Sequence, residues 1–199
     1  MKKKYLKGGE LIQYVYHKVP GKIIDNKLIP LNTLKHSHHD LYMKYVKKYD
    51  HPQRAKMLKR RIPMFNCLWN DVIHFLMLHP FNVYNALTAA GLEVNHDLHF
   101  FKVPITRLKN NQNAVCIYTK KNYKNPLAQI QTHMTHSLHV KRYEDLSTLS
   151  QETMDFYEDV HRKSNRFGLF TFIPHLLSYG EVDISDVDII SWRDRSSDS

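Results

Sequence analysis

The sequence predicts an α+β domain, and three observations carry that expectation. Runs rich in β-branched and aromatic residues end at turn residues, as Leu11 to Val19 does at Pro20-Gly21. Other stretches place apolar residues at three- and four-residue spacing, the period of an amphipathic helix. The two kinds of segment do not alternate in a regular βαβ order.

Taken in order, Leu11 to Val19 reads as a strand with His17 near its C-terminal end, and 21–31 as a turn around Asp25-Asn26 with a brief extended piece. From His39 to Tyr49, Leu41, Tyr42, Tyr45, Val46 and Tyr49 recur at helical spacing with lysines outward. Pro52 opens a second helix to about Arg61, which Ile62-Pro63 ends because the residue before proline is pushed out of helical geometry. Asp71 to Leu78 is a short apolar run that reads as a buried strand, with a helix over 66–77 as the competing reading. Pro80 decides for the strand by starting a clearer helix, Phe81 to Ala90, with Gly91 at its C-cap position.

Leu98 to Val103 and Ala114 to Thr119 are strand candidates joined by a polar loop. The stretch 129–140, with His133, His136 and His139, carries no clear period. Leu149 to Lys163 reads as a helix with Ser150 as N-cap. Phe167 to Ile173 and Asp186 to Trp192 read as strands on either side of His175. The expected organisation is one domain over 1–192, followed by a polar, disordered tail over 193–199 that has nothing to bury.

Composition narrows the functional classes. The 199 residues are 42% hydrophobic and 24% charged, as in ordinary globular domains. Lysine and arginine outnumber aspartate and glutamate, 29 against 19, for a net charge of +10. Such an excess favours an anionic partner. Cys67 and Cys116 lack CxxC spacing and read as reduced, packed thiols. No uninterrupted apolar segment follows Met1-Lys2-Lys3-Lys4, and no run approaches the ~18 apolar residues of a membrane span. A cytoplasmic setting without membrane insertion is expected. No G-x-S-x-G, G-x-x-x-x-G-K-[ST] or G-x-G-x-x-G pattern is present, which sets aside ordinary hydrolase, P-loop and Rossmann readings. The histidine groups 36–40 and 133–139 match no H-E-x-x-H or cysteine-bearing zinc pattern, so no metal ligand is assigned, and a metal-dependent hydrolase using His36, His38, His39 or the His133 series stands as a third functional class.

Three histidines interrupt strand-like apolar runs: Tyr16-His17, Ile73-His74-Phe75 and Pro174-His175-Leu176. Imidazole is costly to bury unsatisfied, and its ordinary pKa suits it to act as donor, acceptor, acid or base near neutrality. These segments, with Gly180-Glu181-Val182-Asp183-Ile184 and Val187 after the third, resemble the pattern of a small bacterial family grouped with the ADP-ribosyltransferase-like fold. That resemblance implies two small antiparallel sheets with flanking helices and a cleft between them that takes NAD or a related phosphoester. It makes 36–66 a helical insertion. It nominates His17, His74 and His175, and Tyr16 beside them, as cleft residues. Phe75-Leu76-Met77 stands where the family has a serine soon after the middle histidine, and Glu181 is the nearest match to the catalytic glutamate.

Under this reading His175, Glu181 and His74 carry orienting or acid–base roles. Tyr16 lines the cleft beside the cofactor, His17 and Lys18 donate to the diphosphate, and Trp69 or Tyr118 offers a stacking face for a base. The activity implied is transfer from NAD, or removal of a phosphate from an RNA-derived ribose. Trp69-Asn70-Asp71 reads as a turn fixed by side-chain to backbone hydrogen bonds, with a ligand-reading loop as the alternative. A different class of function, a non-catalytic nucleic-acid- or partner-binding module, follows from the basic segment Lys44 to Arg61.

Overall fold

The computed structural model describes residues 13–50, 52–117, 119–120, 130–137, 146–163 and 167–195. It is an α+β architecture built on an antiparallel sheet. Strand β1 (Tyr14–Lys18) leads to the short β2 (Lys27–Leu28), then to helices α1 (Leu31–Ser37), α2 (His39–Val46) and α3 (Pro52–Ala55). A two-residue hairpin follows, β3 (Arg61–Ile62) and β4 (Cys67–Leu68), then β5 (Val72–Leu76) and helix α4 (Pro80–Ala89). Next come β6 (His99–Pro104), β7 (Gln112–Cys116), β8 (Thr135–Ser137), helix α5 (Gln151–Lys163), β9 (His175–Tyr179), β10 (Val182–Asp183) and β11 (Asp188–Ser191).

The main sheet has seven strands in the order β11-β6-β1-β5-β9-β7-β8, and β2 pairs with β10 in a separate two-stranded piece. One face carries Val15, Ile73, Phe75, Phe101, Val103, Val115 and Leu176, covered by Leu28 and Val182 of the small sheet. The other carries Tyr16, Leu76 and Phe100, closed over by α4, α5 and Trp192. Strict alternation assigns each strand residue to one face or the other. Full burial of such a side chain is worth roughly 1.5–3 kcal/mol, so the two faces together hold the sheet in place.

The separate sheets expected from the family resemblance are here one hydrogen-bonded sheet. β1 and β6 pair along five residues, from Tyr14 opposite Pro104 to Lys18 opposite Phe100. β1 and β5 meet only at Tyr16 opposite Leu76. Beyond that pair no further ladder pairing links the two strands among the described residues, so the halves β11-β6-β1 and β5-β9-β7-β8 share a single bridge.

Several expected elements are found as read. The run 72–76 is a strand, α4 ends with Gly91 at φ +76°, and Ser150 Oγ accepts from the Thr153 N–H at the start of α5. Others differ. Residues 31–37 form a helix where the sequence showed no period, started by the fixed φ of Pro30. The expected second helix is α3 followed by a 3-10 turn over Lys56–Lys59, and Arg61–Ile62 already pairs as a strand, so the insertion is not wholly helical.

Phe167 to Ile173 is not a strand. Its apolar residues fill the core through turns instead. Phe172 sits at φ +60°, its carbonyl accepts from Thr153 Oγ1, and its ring packs edge-on against Phe156 at 5.5 Å. That conformation breaks any ladder and sets the strand start at His175 itself. The expected tail is partly anchored: Asp194 Oδ2 accepts from the Ser191 N–H, and the Arg195 guanidinium lies 6.0 Å from the Phe81 ring. Residues 196–199 lie outside the described residues.

Candidate functional site

A cavity of about 630 Å³ opens where β1 and β5 part. Its walls include His17 and Lys18 after Tyr16 on one strand, and Ile73 and His74 before Leu76 on the other. His175 of β9 lines it too, so the three histidines singled out in sequence converge on one hollow. His175 lies opposite Leu76 and His74 opposite Leu177, which makes His74 and His175 diagonal neighbours on one sheet face. Such neighbours stand about 7–8 Å apart. His17 belongs to the opposite face, where its ring meets Phe75 at 5.7 Å, and it reaches the cavity because the strands have separated.

The tautomers of two rings follow from carbonyl partners. His74 Nε2–H donates to the Trp69 carbonyl at 2.9 Å, and His175 Nδ1–H donates to the Ile173 carbonyl at 2.7 Å. Each neutral ring therefore turns its other nitrogen into a lone-pair acceptor. His17 Nδ1 is buried and makes no hydrogen bond among the described residues. Contact with the Lys18 backbone favours its charged form without satisfying that nitrogen.

Desolvation dominates the electrostatics of all three. It lowers His17 to about 4, His74 to about 3 and His175 to about 4. His74 falls furthest because the positive charge of His175, and less so of Lys48 and His17, adds to its burial. At neutral pH all three rings are uncharged.

Fixed positive charge sits at the rim. Lys18, Lys22, Lys27 and Lys48 line the cavity, and no Asp or Glu does among the described residues. Lys48 is exposed by area, yet its ammonium is drawn over the Tyr49 ring at 5.0 Å. There, desolvation and the Arg54 charge lower its pKa. Lys27 Nζ donates to Glu181 Oε2 at 2.9 Å. Glu181 itself, on the turn between β9 and β10, is exposed and does not line the cavity.

Trp69 lines the wall but is only 8% exposed, with the His74 ring at 4.2 Å and the Arg60 guanidinium at 4.7 Å from its ring centre. These neighbours hold the indole as a support for His74 and leave little of it for a base. Tyr16 is 6% exposed at the head of the cavity, and Tyr118 lies outside the described residues.

Two residues that sequence reasoning placed elsewhere belong here. Tyr49, at the end of the 3-10 turn after α2, donates its hydroxyl to Asn70 Oδ1 at 2.6 Å, and both line the cavity. In Trp69-Asn70-Asp71 the roles divide: Asp71 accepts from the Leu68 N–H and from Asn32 Nδ2, which fixes the turn, while Asn70 faces the hollow. The adjacent tryptophan and the turn were the available signals, and nothing in the spacing pointed to Tyr49.

The histidine-rich stretches gather no third ligand: no group of three or more histidine, cysteine or acidic residues suited to a metal occurs among the described residues. His139 lies outside them. No described helix is long and apolar enough to cross a membrane. Comparison of the chain with models of protein families, with curated proteins and with solved structures gives no match in any of the three.

Proposed function

We propose that the chain is an ADP-ribosyltransferase-like protein that binds NAD or another nucleotide-derived phosphoester in the cavity between β1 and β5. The observation that carries this reading is the convergence of His17, His74 and His175 on one hollow rimmed by lysines, with no lining carboxylate among the described residues. The volume, about 630 Å³, lies in the range of small-molecule sites. The limited pairing of β1 with β5 leaves a cleft within the one sheet, which in this reading serves in place of the cleft between two sheets that the resemblance implies.

NAD, if it is the cofactor, fits this donor set in part. Lys18, Lys22 and Lys48 take the pyrophosphate as charge-assisted donors. The lone-pair nitrogens of His74 and His175 accept from ribose hydroxyls. The cofactor supplies the scissile glycosidic bond, and the chain supplies binding and orientation. Rings with pKa values near 3 to 4 are always unprotonated at pH 7, but they are weak bases, so orientation is their main part. Glu181 does not reach the cavity, so the ribose-orienting role assigned to a glutamate falls to His175 in this reading. A cytoplasmic setting belongs to the same proposal and rests on Cys67 and Cys116 being buried free thiols.

A second reading, a nucleic-acid-binding module, draws on Lys44, Lys47, Lys56 and Lys59, which are exposed and form no ion pair among the described residues. Calorimetric titration with NAD, ADP-ribose and a short RNA separates the two. Saturable binding of NAD or ADP-ribose that His17→Ala and His175→Ala weaken supports the cavity reading. Binding of RNA alone, steeply salt-dependent and indifferent to both substitutions, supports the module. No heat with any of the three overturns both.

A further inference from the structure

We infer that Asn70, oriented by Tyr49, is the specificity-determining donor of the cavity, reading an uncharged oxygen of the ligand while the lysines hold its anionic end. The inference rests on the cavity being a phosphoester site and names which end of that ligand enters first.

Asn70 is 4% exposed, lines the cavity, and its Nδ2 has no hydrogen-bond partner among the described residues. A buried amide left half unsatisfied is uncommon and calls for a partner. The other half is fixed. Burial raises Tyr49 to about 12, so its phenol stays protonated and donates to Oδ1 at 2.6 Å. With Oδ1 engaged in that way, the amide cannot turn over without losing the bond, and Nδ2 is committed as a donor. Asn70 lines the cavity with Nδ2 itself buried, so engaging a ligand atom takes a turn of the side chain toward the hollow that keeps the Tyr49 bond.

The second unsatisfied atom of the same hollow is His17 Nδ1. The side chains that line the hollow beside them include neutral imidazoles, Tyr49 and apolar groups, with Lys48 as the nearest cation, over the outer side of the Tyr49 ring at 5.0 Å. Lys18, Lys22 and Lys48 are by contrast exposed at the rim. A phosphate placed against Asn70 would leave the cations behind. A hydroxyl placed there accepts from Nδ2, and a further hydroxyl of the same sugar can serve His17 Nδ1. The ligand class is therefore a sugar phosphoester whose hydroxyl-bearing end is buried and whose phosphates stay at the mouth. Inorganic pyrophosphate offers only the second half of that recognition.

The experiment compares ADP-ribose and inorganic pyrophosphate on the whole chain, for the parent protein, Asn70→Ala and Tyr49→Phe, by calorimetry alongside thermal melting. We expect Asn70→Ala to weaken ADP-ribose about 5- to 100-fold and to leave pyrophosphate within about twofold, as loss of one buried hydrogen bond predicts. Tyr49→Phe keeps the ring volume and is expected to weaken ADP-ribose in the same direction by less, so the test survives if Asn70→Ala melts early. Equal loss for both ligands, or ADP-ribose binding unchanged in both variants, overturns the inference while the cavity reading stands. No binding of either ligand to the parent protein overturns both.

Discussion

Tyr16 on β1 and Leu76 on β5 form the one ladder pair of these strands among the described residues, and His17 and His74 lie together on one side of it, lining the cavity. The seam between the two halves of the sheet is thus also the head of the cavity. Leu76 is 4% exposed and packs with Leu78, Val83 and Phe100. Leu76→Ala is expected to cost about 2–5 kcal/mol, measured by urea denaturation. A loss well below this range would mean that the seam is held by other contacts.

Stability depends on acid in a defined direction. The ordinary histidine pKa is 6.5, and the folded values of His17, His74 and His175 are lowered to about 4, 3 and 4. Between pH 6.5 and 4 the unfolded chain binds protons that the folded chain refuses, so stability falls as pH falls through that window. The rings keep some contact with water in the cavity, so the expected loss is about 1–3 kcal/mol in all. His74→Gln should flatten the dependence of melting temperature on pH across that window, and an unchanged slope would contradict the assignment.

Glu181 is tied to the cavity wall through its ion pair with Lys27. Glu181→Gln removes the negative charge paired with a lysine of the cavity wall. Affinity for ADP-ribose is expected to hold or rise slightly at low salt, measured by calorimetry. A loss of tenfold or more would restore Glu181 to a direct role.

In the proposed site the rim lysines are expected to act by charge. Lys48→Ala is expected to weaken ADP-ribose several-fold in dilute buffer and much less in 1 M salt, where screening has already removed most of the attraction. A loss independent of salt would assign Lys48 a packing role over Tyr49 instead.

How much of this was legible in the sequence varies by residue. The histidines were, because an imidazole inside an apolar strand marks a position that packing alone does not explain. Proline and glycine punctuation also fixed β5 and α4. Phe167 to Ile173 misled because five apolar residues look like a strand, and the positive φ of Phe172 is set by its contacts with Thr153 and Phe156, far away in sequence. Asn70 was visible only as the alternative reading of its turn, and its partner Tyr49 was hidden for a related reason. They meet through a hydrogen bond across 21 residues, and Tyr49 sits in a segment whose own pattern describes only an amphipathic helix. The parting of β1 from β5 leaves no mark in periodicity, since both strands alternate normally on either side of it.

The central claim is that the three imidazoles share one ligand, and nitrogen-15 NMR of the histidine side chains during titration with ADP-ribose tests it most directly. The account predicts that the signals of His17, His74 and His175 shift together along one saturating curve while those of His96 and His133, outside the cavity, stay in place. Shifts confined to the outer histidines, or none at saturating ADP-ribose, would contradict it.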